Sequence, residues 1–329
     1  MEGSDLQMTK AKGVSRRDLL QKAGAVAAAG ALGVSETPAA IQALNTPSGQ
    51  TGGTPRTLVL MCDRYHNQDY IRVSLNRLFK ELSLPVDYTT NYYDLSKTLL
   101  EPYQLFICFR DNMIWPDGYS SGSADEGARQ PQDGLENPGD FPPEKAEYWI
   151  TEEQGQAVQN FVSAGNGFYS MHNNAFVSRS SKNFRDVQGG VALGHPPVRP
   201  FKVRVVNKEH PVTQGVEDFM VTDEQHYAIY DKDPKNILLH GENLDGLTLE
   251  NGSRQGAGRG RGGAPPDLGF GGGTAASQDQ GATSVSGWAH EYGKGRVVFT
   301  AMGHTNDVMW HPEYFKMQKN AVRWLLKMT

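Results

Sequence analysis

Nine histidines are spread over the 329 residues, and three of them follow short apolar runs: His66 after TLVLMCDRY, His172 after GFYSM and His304 after VVFTAMG. Apolar runs of this length read as buried strands. In an open α/β sheet the carboxyl ends of the strands converge on one crevice, so three imidazoles far apart in sequence would meet there. Imidazole titrates near neutrality, ligates metals and moves protons, and three at equivalent strand ends outweigh the ordinary reading of an isolated structural histidine. His195 follows a glycine-rich segment in GGVALGHP, and TDEQHY puts Asp223, Glu224, His226 and Tyr227 in one short stretch. Two carboxylates and an imidazole so close would move protons or ligate a metal. The competing reading makes Asp223 a turn cap and Glu224 the partner of an arginine, with only His226 facing the site.

No H-E-x-x-H and no cysteine pair with ligand spacing occurs. A divalent metal such as zinc would therefore be held by separate loops, with His66, His172, His226 and His304 as its candidate ligands. Nucleophilic chemistry has thinner support. No G-x-S-x-G elbow joins a strand to a helix, and Ser170 shares the strand parity of His172 without forming one. Cys62 and Cys108 fall within apolar runs, where an inert thiol is the default, and two cysteines make no disulfide framework. The turn after the first apolar run reads CDRYHNQDY, which disfavours a G-x-G-x-x-G dinucleotide site.

The elements that must position these groups begin at residues 57–62 (TLVLMC), after a Gly-, Ser-, Thr- and Pro-rich linker at 44–56. A helix is predicted over 70–82 from Ile71, Leu75, Leu78, Phe79 and Leu82, and strands at 85–89 and 105–109. Thr151 opens a second helix in the order T-E-E-Q, which would cap its own free amides, and Gly165 and Gly167 end it before a strand at 168–171. Further strands are predicted at 201–206, 236–239, 286–291 and 296–301, the last two joined by Gly293-Lys294-Gly295, and a terminal helix over 314–327. Strands alternating with helices argue for a doubly wound α/β sheet with a β-rich addition. Two stretches interrupt it, an acidic, proline-rich one at 112–147 and a glycine-rich one at 251–283, both read as insertions over the surface.

Hydrophobic residues are 38% and charged residues 21% of the chain, enough for a large core and incompatible with global disorder. The net charge of −5 excludes a generally basic nucleic-acid coat, and GRGRGG in the second insertion, near Asp267 and Asp279, makes a poor phosphate footprint, so no nucleic-acid partner is expected. No uncharged apolar stretch reaches the ~20 residues of a membrane-spanning helix, so no permanent membrane insertion is expected. The N-terminus reads SRRDLLQK at 15–22 followed by Ala- and Gly-rich residues at 23–34, which resembles a twin-arginine export signal. Residues 1–43 are accordingly expected to be a signal peptide cleaved near 39–43, and the mature protein to be periplasmic or extracellular.

From about residue 57 to 328 the chain resembles the ThuA-like (trehalose-utilisation) family, on His66 in its first loop, GNGFYSMHNNAF, GGVALGHP, NKEHPVTQGVEDFMVTDEQHY, and WAHEYGKGRVVFTAMGHTNDVMWHPEYFKMQKNAVRWLL. The resemblance implies the fold of class I glutamine amidotransferases and flavodoxins, a three-layer sandwich around a mostly parallel sheet. It implies a role in sugar catabolism, through 3-keto-glucosides made by oxidoreductases, and so a carbohydrate as ligand and an exported sugar oxidoreductase as partner. The strand that reaches His172 is the one that carries the amidotransferases' cysteine nucleophile, and no cysteine stands there, so glutamine hydrolysis is not expected. The chain departs from the family in its two insertions and in a single histidine in the first loop.

For a 3-keto sugar, base removal of the proton on carbon 2 gives an enolate, and elimination or epimerisation follows. This makes the activity a lyase, hydrolase or isomerase reaction, with His172, Glu224 and His304 as the catalytic candidates. His66, His195, Asp223, His226, Tyr227 and Trp310 are then the substrate-binding candidates. The alternative is a carbohydrate-binding protein without turnover, or a structural partner of the oxidoreductase, with Trp115, Trp149 or Trp310 stacking on sugar in either case.

Overall fold

The computed structural model describes residues 53–116, 145–246 and 283–328. The expected signal peptide and most of both insertions lie outside the described residues. In chain order the strands are β1 (Thr57–Met61), β2 (Val86–Thr89), β3 (Leu105–Phe109), β4 (Met113–Ile114), β5 (Glu147–Tyr148), β6 (Gly167–Met171), β7 (Gly190–Gly194), β8 (Arg199–Val205), β9 (Phe219–Asp223), β10 (Tyr227–Tyr230), β11 (Ile237–Asn243), β12 (Thr283–Tyr292) and β13 (Gly295–Thr300). The α-helices are α1 (Gln68–Leu82), α2 (Lys97–Leu100), α3 (Glu152–Ser163), α4 (Lys182–Gln188), α5 (Asn306–Met309) and α6 (Pro312–Leu325).

Nine strands form one sheet in the order β2-β1-β3-β6-β13-β12-β11-β8-β9. The first five are parallel. Taken in chain order, they follow the 2-1-3-4-5 arrangement of doubly wound flavodoxin-type sheets. The other four extend the same sheet as antiparallel neighbours. The β-rich addition expected from the sequence is thus not a separate layer.

Alternation along the parallel strands makes three layers. Val59, Met61, Ile107, Phe109, Tyr169 and Met171 pack with Leu75, Leu78 and Phe79 of α1 and with Met317, Ala321 and Val322 of α6. Their neighbours Leu58, Leu60, Phe106, Cys108 and Phe168 pack on the opposite face with Val158, Phe161 and Val162 of α3 and Phe184 of α4. Such a sheet, buried on both faces, requires the unbroken apolar runs TLVLM and LFICF. The capping box read from T-E-E-Q is present: the Gln154 amide donates to the Thr151 hydroxyl and the Thr151 amide to the Gln154 side chain.

His290 on β12 illustrates a histidine retained for packing. It is buried, Nε2 donates to the Val187 carbonyl (3.1 Å), and burial pushes its pKa down to about 4. Because the folded state resists a proton that the unfolded chain takes up near 6.5, stability is full above that value and falls as pH drops toward 4. The loss from this one group is about 3 kcal/mol. Urea unfolding of His290→Gln, which keeps a donor for Val187, is expected to show a flatter loss of stability over that range than the parent protein. An unchanged slope would contradict it.

Candidate active site at the carboxyl edge of the sheet

His66 lies in the loop after β1, His172 directly follows β6, and His304 follows β13, at the carboxyl ends of three parallel strands. They converge as the sequence predicts. His66 Nε2 stands 3.2 Å from His304 Nδ1, and the rings of His66 and His172 are 4.9 Å apart. The short connection from β9 to β10 brings Glu224 among them: Oε2 is 3.4 Å from His172 Nε2, 3.3 Å from His304 Nδ1 and 3.3 Å from His226 Nε2. His195, just beyond β7, completes the group with Nδ1 3.6 Å from Glu224 Oε1 and its ring stacked on His226. Five imidazoles therefore surround one carboxylate. His66, His172, Glu224 and His304 offer ligand atoms within 4.8 Å of one another, and His195, Glu224 and His226 form a second group of the kind that could hold a metal ion.

The backbone is built to hold this arrangement. His172 adopts φ +52°, a left-handed conformation that costs a non-glycine residue about 1 to 3 kcal/mol and that recurs where structure serves chemistry. Its Nδ1 meets the Ala301 carbonyl at 2.8 Å and so donates its proton there. His66 is fixed by Asp63, whose carboxylate accepts from His66 Nδ1 (2.9 Å), from the amides of Tyr65, His66 and Asp111, and from Asn173 Nδ2. Burial opposes charge on Asp63, yet the His66 imidazole and these donors outweigh it and hold the carboxyl well below the usual range. Burial likewise opposes charge on His66, and Asp63 reverses the balance and raises its pKa.

Glu224 is also buried against its charge, but the imidazoles, His195 foremost, hold it well below the ordinary carboxylate range. Burial together with the neighbouring His172 drives His226 strongly toward its neutral form. The side chains of His172 and His226 are fully covered, whereas His195 is 25% and His304 26% exposed, so the cluster opens to solvent on the side of His195 and His304. The loop that carries His66 also lines a cavity of about 330 Å³ with Cys62, Arg64, Tyr65, Asn67, Gln68 and Thr90.

The remaining sequence candidates are Asp223, Tyr227 and the tryptophans. Asp223 is buried and its oxygens accept the amides of Gly303, His304 and Glu224, so it ties the β13 loop to β9 and its carboxylate is spent on backbone. Part of the competing reading thus applies to Asp223, while Glu224 pairs with imidazoles and not with an arginine. Tyr227 is buried. Trp310 is 37% exposed, with the Arg77 guanidinium over its ring at 5.2 Å. Trp149 is buried and donates to the Asp111 carbonyl, and Trp115 is buried under Arg64 at 4.5 Å, so the exposed stacking faces expected of these two are not present.

Burial raises the pKa of both Cys62 and Cys108, and Ser170 is buried with its hydroxyl donating to Asn174 Oδ1, which agrees with the weak case for a nucleophile. Sequence reasoning did not find Asp63 or Asn173. The only trace of Asp63 was its place three residues before His66, the spacing of a local turn.

A family model described as ThuA, trehalose utilisation, matches residues 141–325, more than half of the chain. A ThuA-like protein from Parabacteroides merdae superposes with a TM-score of 0.51 at 14% identity, covering 83% of this chain and 90% of its own. A ThuA-like protein from Bacteroides uniformis gives a TM-score of 0.48 at 17% identity, over 84% and 94% of the two chains. A β-galactosidase from Rahnella gives 0.43 at 12% identity, over 84% of this chain and 32% of its own. No curated protein gives a significant match by sequence.

Proposed function

Because the chain belongs to the ThuA family, whose model is described as trehalose utilisation, we propose that it is an exported protein of carbohydrate catabolism that acts on a 3-keto glycoside or a related sugar by acid/base chemistry at the Glu224 cluster. The family supports a carbohydrate-related role. The observation that carries the reaction type is the convergence of His66, His172, His195, His226 and His304 on one largely covered carboxylate. Polar groups gathered at a strand edge in this way, and opening to solvent on one side, suit a small polar ligand better than a packed core.

A keto group at carbon 3 makes the proton on carbon 2 removable, and the side chains divide the work by environment. Glu224, held ionised by its neighbours, is a weak proton acceptor and serves to orient the imidazoles. His195, at the open side, is the group placed to take the proton from carbon 2. His304, also at the open side, is placed to stabilise the charge that develops on the carbonyl oxygen. As the C2–H and C1–O bonds break and the C1–C2 double bond forms, the proton passes to the departing oxygen, and an alcohol and an unsaturated keto sugar result. An oxidoreductase acting on the same sugar must supply the keto group, which makes an exported sugar oxidoreductase the natural partner.

Incubating the purified protein with a 3-keto-disaccharide and following released sugar by chromatography tests the reading. Release of one sugar per molecule consumed is expected. Saturable binding without release would favour the carbohydrate-binding alternative. Export is tested separately: Arg16→Lys combined with Arg17→Lys is expected to leave the protein in the cytoplasmic fraction, and unchanged export would contradict the twin-arginine assignment.

A further inference from the structure

We propose that His66, His172, His304 and Glu224 bind one divalent first-row transition-metal ion, through His66 Nε2, His172 Nε2, His304 Nδ1 and Glu224 Oε2. The hydrogen bonds around the cluster decide where the lone pairs point. His172 gives its Nδ1 proton to the Ala301 carbonyl, which leaves the Nε2 lone pair directed at Glu224 Oε2, 3.4 Å away, and this buried nitrogen has no hydrogen-bond partner. His66 gives its Nδ1 proton to Asp63, so its Nε2 lone pair points at His304 Nδ1, 3.2 Å away. At His172 two acceptors, the ring nitrogen and the carboxylate oxygen, face each other, an unfavourable meeting that a cation between them removes.

The spacing also fits. Metal bonds of about 2.0 to 2.2 Å to imidazole nitrogen and carboxylate oxygen put adjacent ligand atoms of a four-coordinate ion about 3.3 to 3.5 Å apart. Three of the six separations in this group are 3.2, 3.4 and 3.3 Å, and all of its ligand atoms lie within 4.8 Å of one another. Donation of the second ring nitrogen to a carboxylate for His66, and to a backbone carbonyl for His172, is the outer arrangement that orients metal-bound histidines. Imidazole with one carboxylate and no thiolate suits zinc, iron or nickel better than magnesium or calcium. The ligand set differs from the sequence expectation in one place: Glu224 joins, and His226, which the sequence counted, stands with His195 in the second group.

The metal's part in catalysis, polarising the sugar's carbonyl oxygen, rests on the proposed function, but the binding itself does not. The test uses the full chain stripped with a chelator and titrated calorimetrically with zinc. One ion per chain is expected, together with a rise in melting temperature. Glu224→Gln and His304→Ala should each weaken binding at least 100-fold, and Asp63→Asn 10- to 100-fold through the orientation of His66. Far-UV circular dichroism of each variant shows that the loss is not one of folding, and His304, partly exposed in its loop, is the safest of the three. Cobalt(II) in place of zinc gives a second readout, the visible bands of a four-coordinate ion. Stripped, folded protein that takes up far less than one zinc per chain, or variants that bind as the parent does, would overturn the assignment. Turnover of a keto glycoside by metal-free protein would overturn the metal's role and leave the proposed function standing. Stoichiometric zinc without turnover would do the reverse.

Discussion

Glu224→Gln is expected to lower turnover of a 3-keto glycoside by about a thousandfold, the loss that follows removal of an acid/base or preorganised electrostatic group. Among the described residues Glu224 reaches His172, His195, His226 and His304 together, so its charge acts on all four. Glutamine keeps the volume and some hydrogen bonding but neither the charge nor the affinity for a cation. Removing it also removes a carboxylate stabilised in the fold, at a cost of about 1 to 3 kcal/mol. Kinetics and thermal unfolding on the same preparation separate the two effects. Full turnover in a folded Glu224→Gln protein would mean that the carboxylate is only a structural partner of the histidines.

The second large effect is expected from Gly303→Ala, two residues beyond the carbonyl that holds His172. Gly303 is at φ +153°, and a Cβ there would lie 2.9 Å from Phe109 Cζ and 3.0 Å from His172 Cβ. Both neighbours are buried and neither can withdraw, so the loop that carries His304 must lift. Its amide bond to Asp223 (2.8 Å) and the Tyr70 hydroxyl on its carbonyl (3.2 Å) would be strained with it. Overpacking of this kind costs about 1 to 3 kcal/mol. A displacement of about 1 Å at His304 is enough to lower kcat about 100-fold. Melting temperature and kcat should therefore fall together. An unchanged kcat in the destabilised variant would show that the position of His304 does not matter to the reaction.

The parallel half of the fold was readable because each strand buried on both faces is a continuous apolar run, and β1, β3 and β6 are recovered within a residue or so. The terminal helix and the β12–β13 hairpin were readable from periodicity and from Gly293-Lys294-Gly295. β7, β9 and β10 were not foreseen. β7 is GVALG, weak in β-branched residues, and β10 is four residues long, so neither carries a pattern of its own. That β8, β9, β11 and β12 extend the same sheet depends on pairing between distant segments, which local sequence does not encode.

The site follows the same division. The convergence of His66, His172 and His304 came from a rule of topology, and that rule held. The sequence singles out Glu224 as catalytic and Asp223 as substrate-binding, but adjacent carboxylates on a chain leaving a strand point to different surroundings, which only the fold shows. Asp223 meets the Gly303 and His304 amides, and Glu224 meets the imidazoles. Asp63 was missed because its value lies in orienting another residue's ring, and only the folded loop shows that it accepts from His66.

Proton exchange at carbon 2 of a 3-keto-disaccharide in deuterium oxide, followed by NMR, tests most directly whether this cluster removes that proton. The parent protein is expected to catalyse deuterium entry or elimination at carbon 2, with Glu224→Gln and His195→Ala reduced by a hundredfold or more while both remain folded. Sugar that binds saturably yet keeps its carbon-2 proton at the uncatalysed rate, in parent and variants alike, would contradict the role of His195 as base and of Glu224 as the charge that orients the cluster.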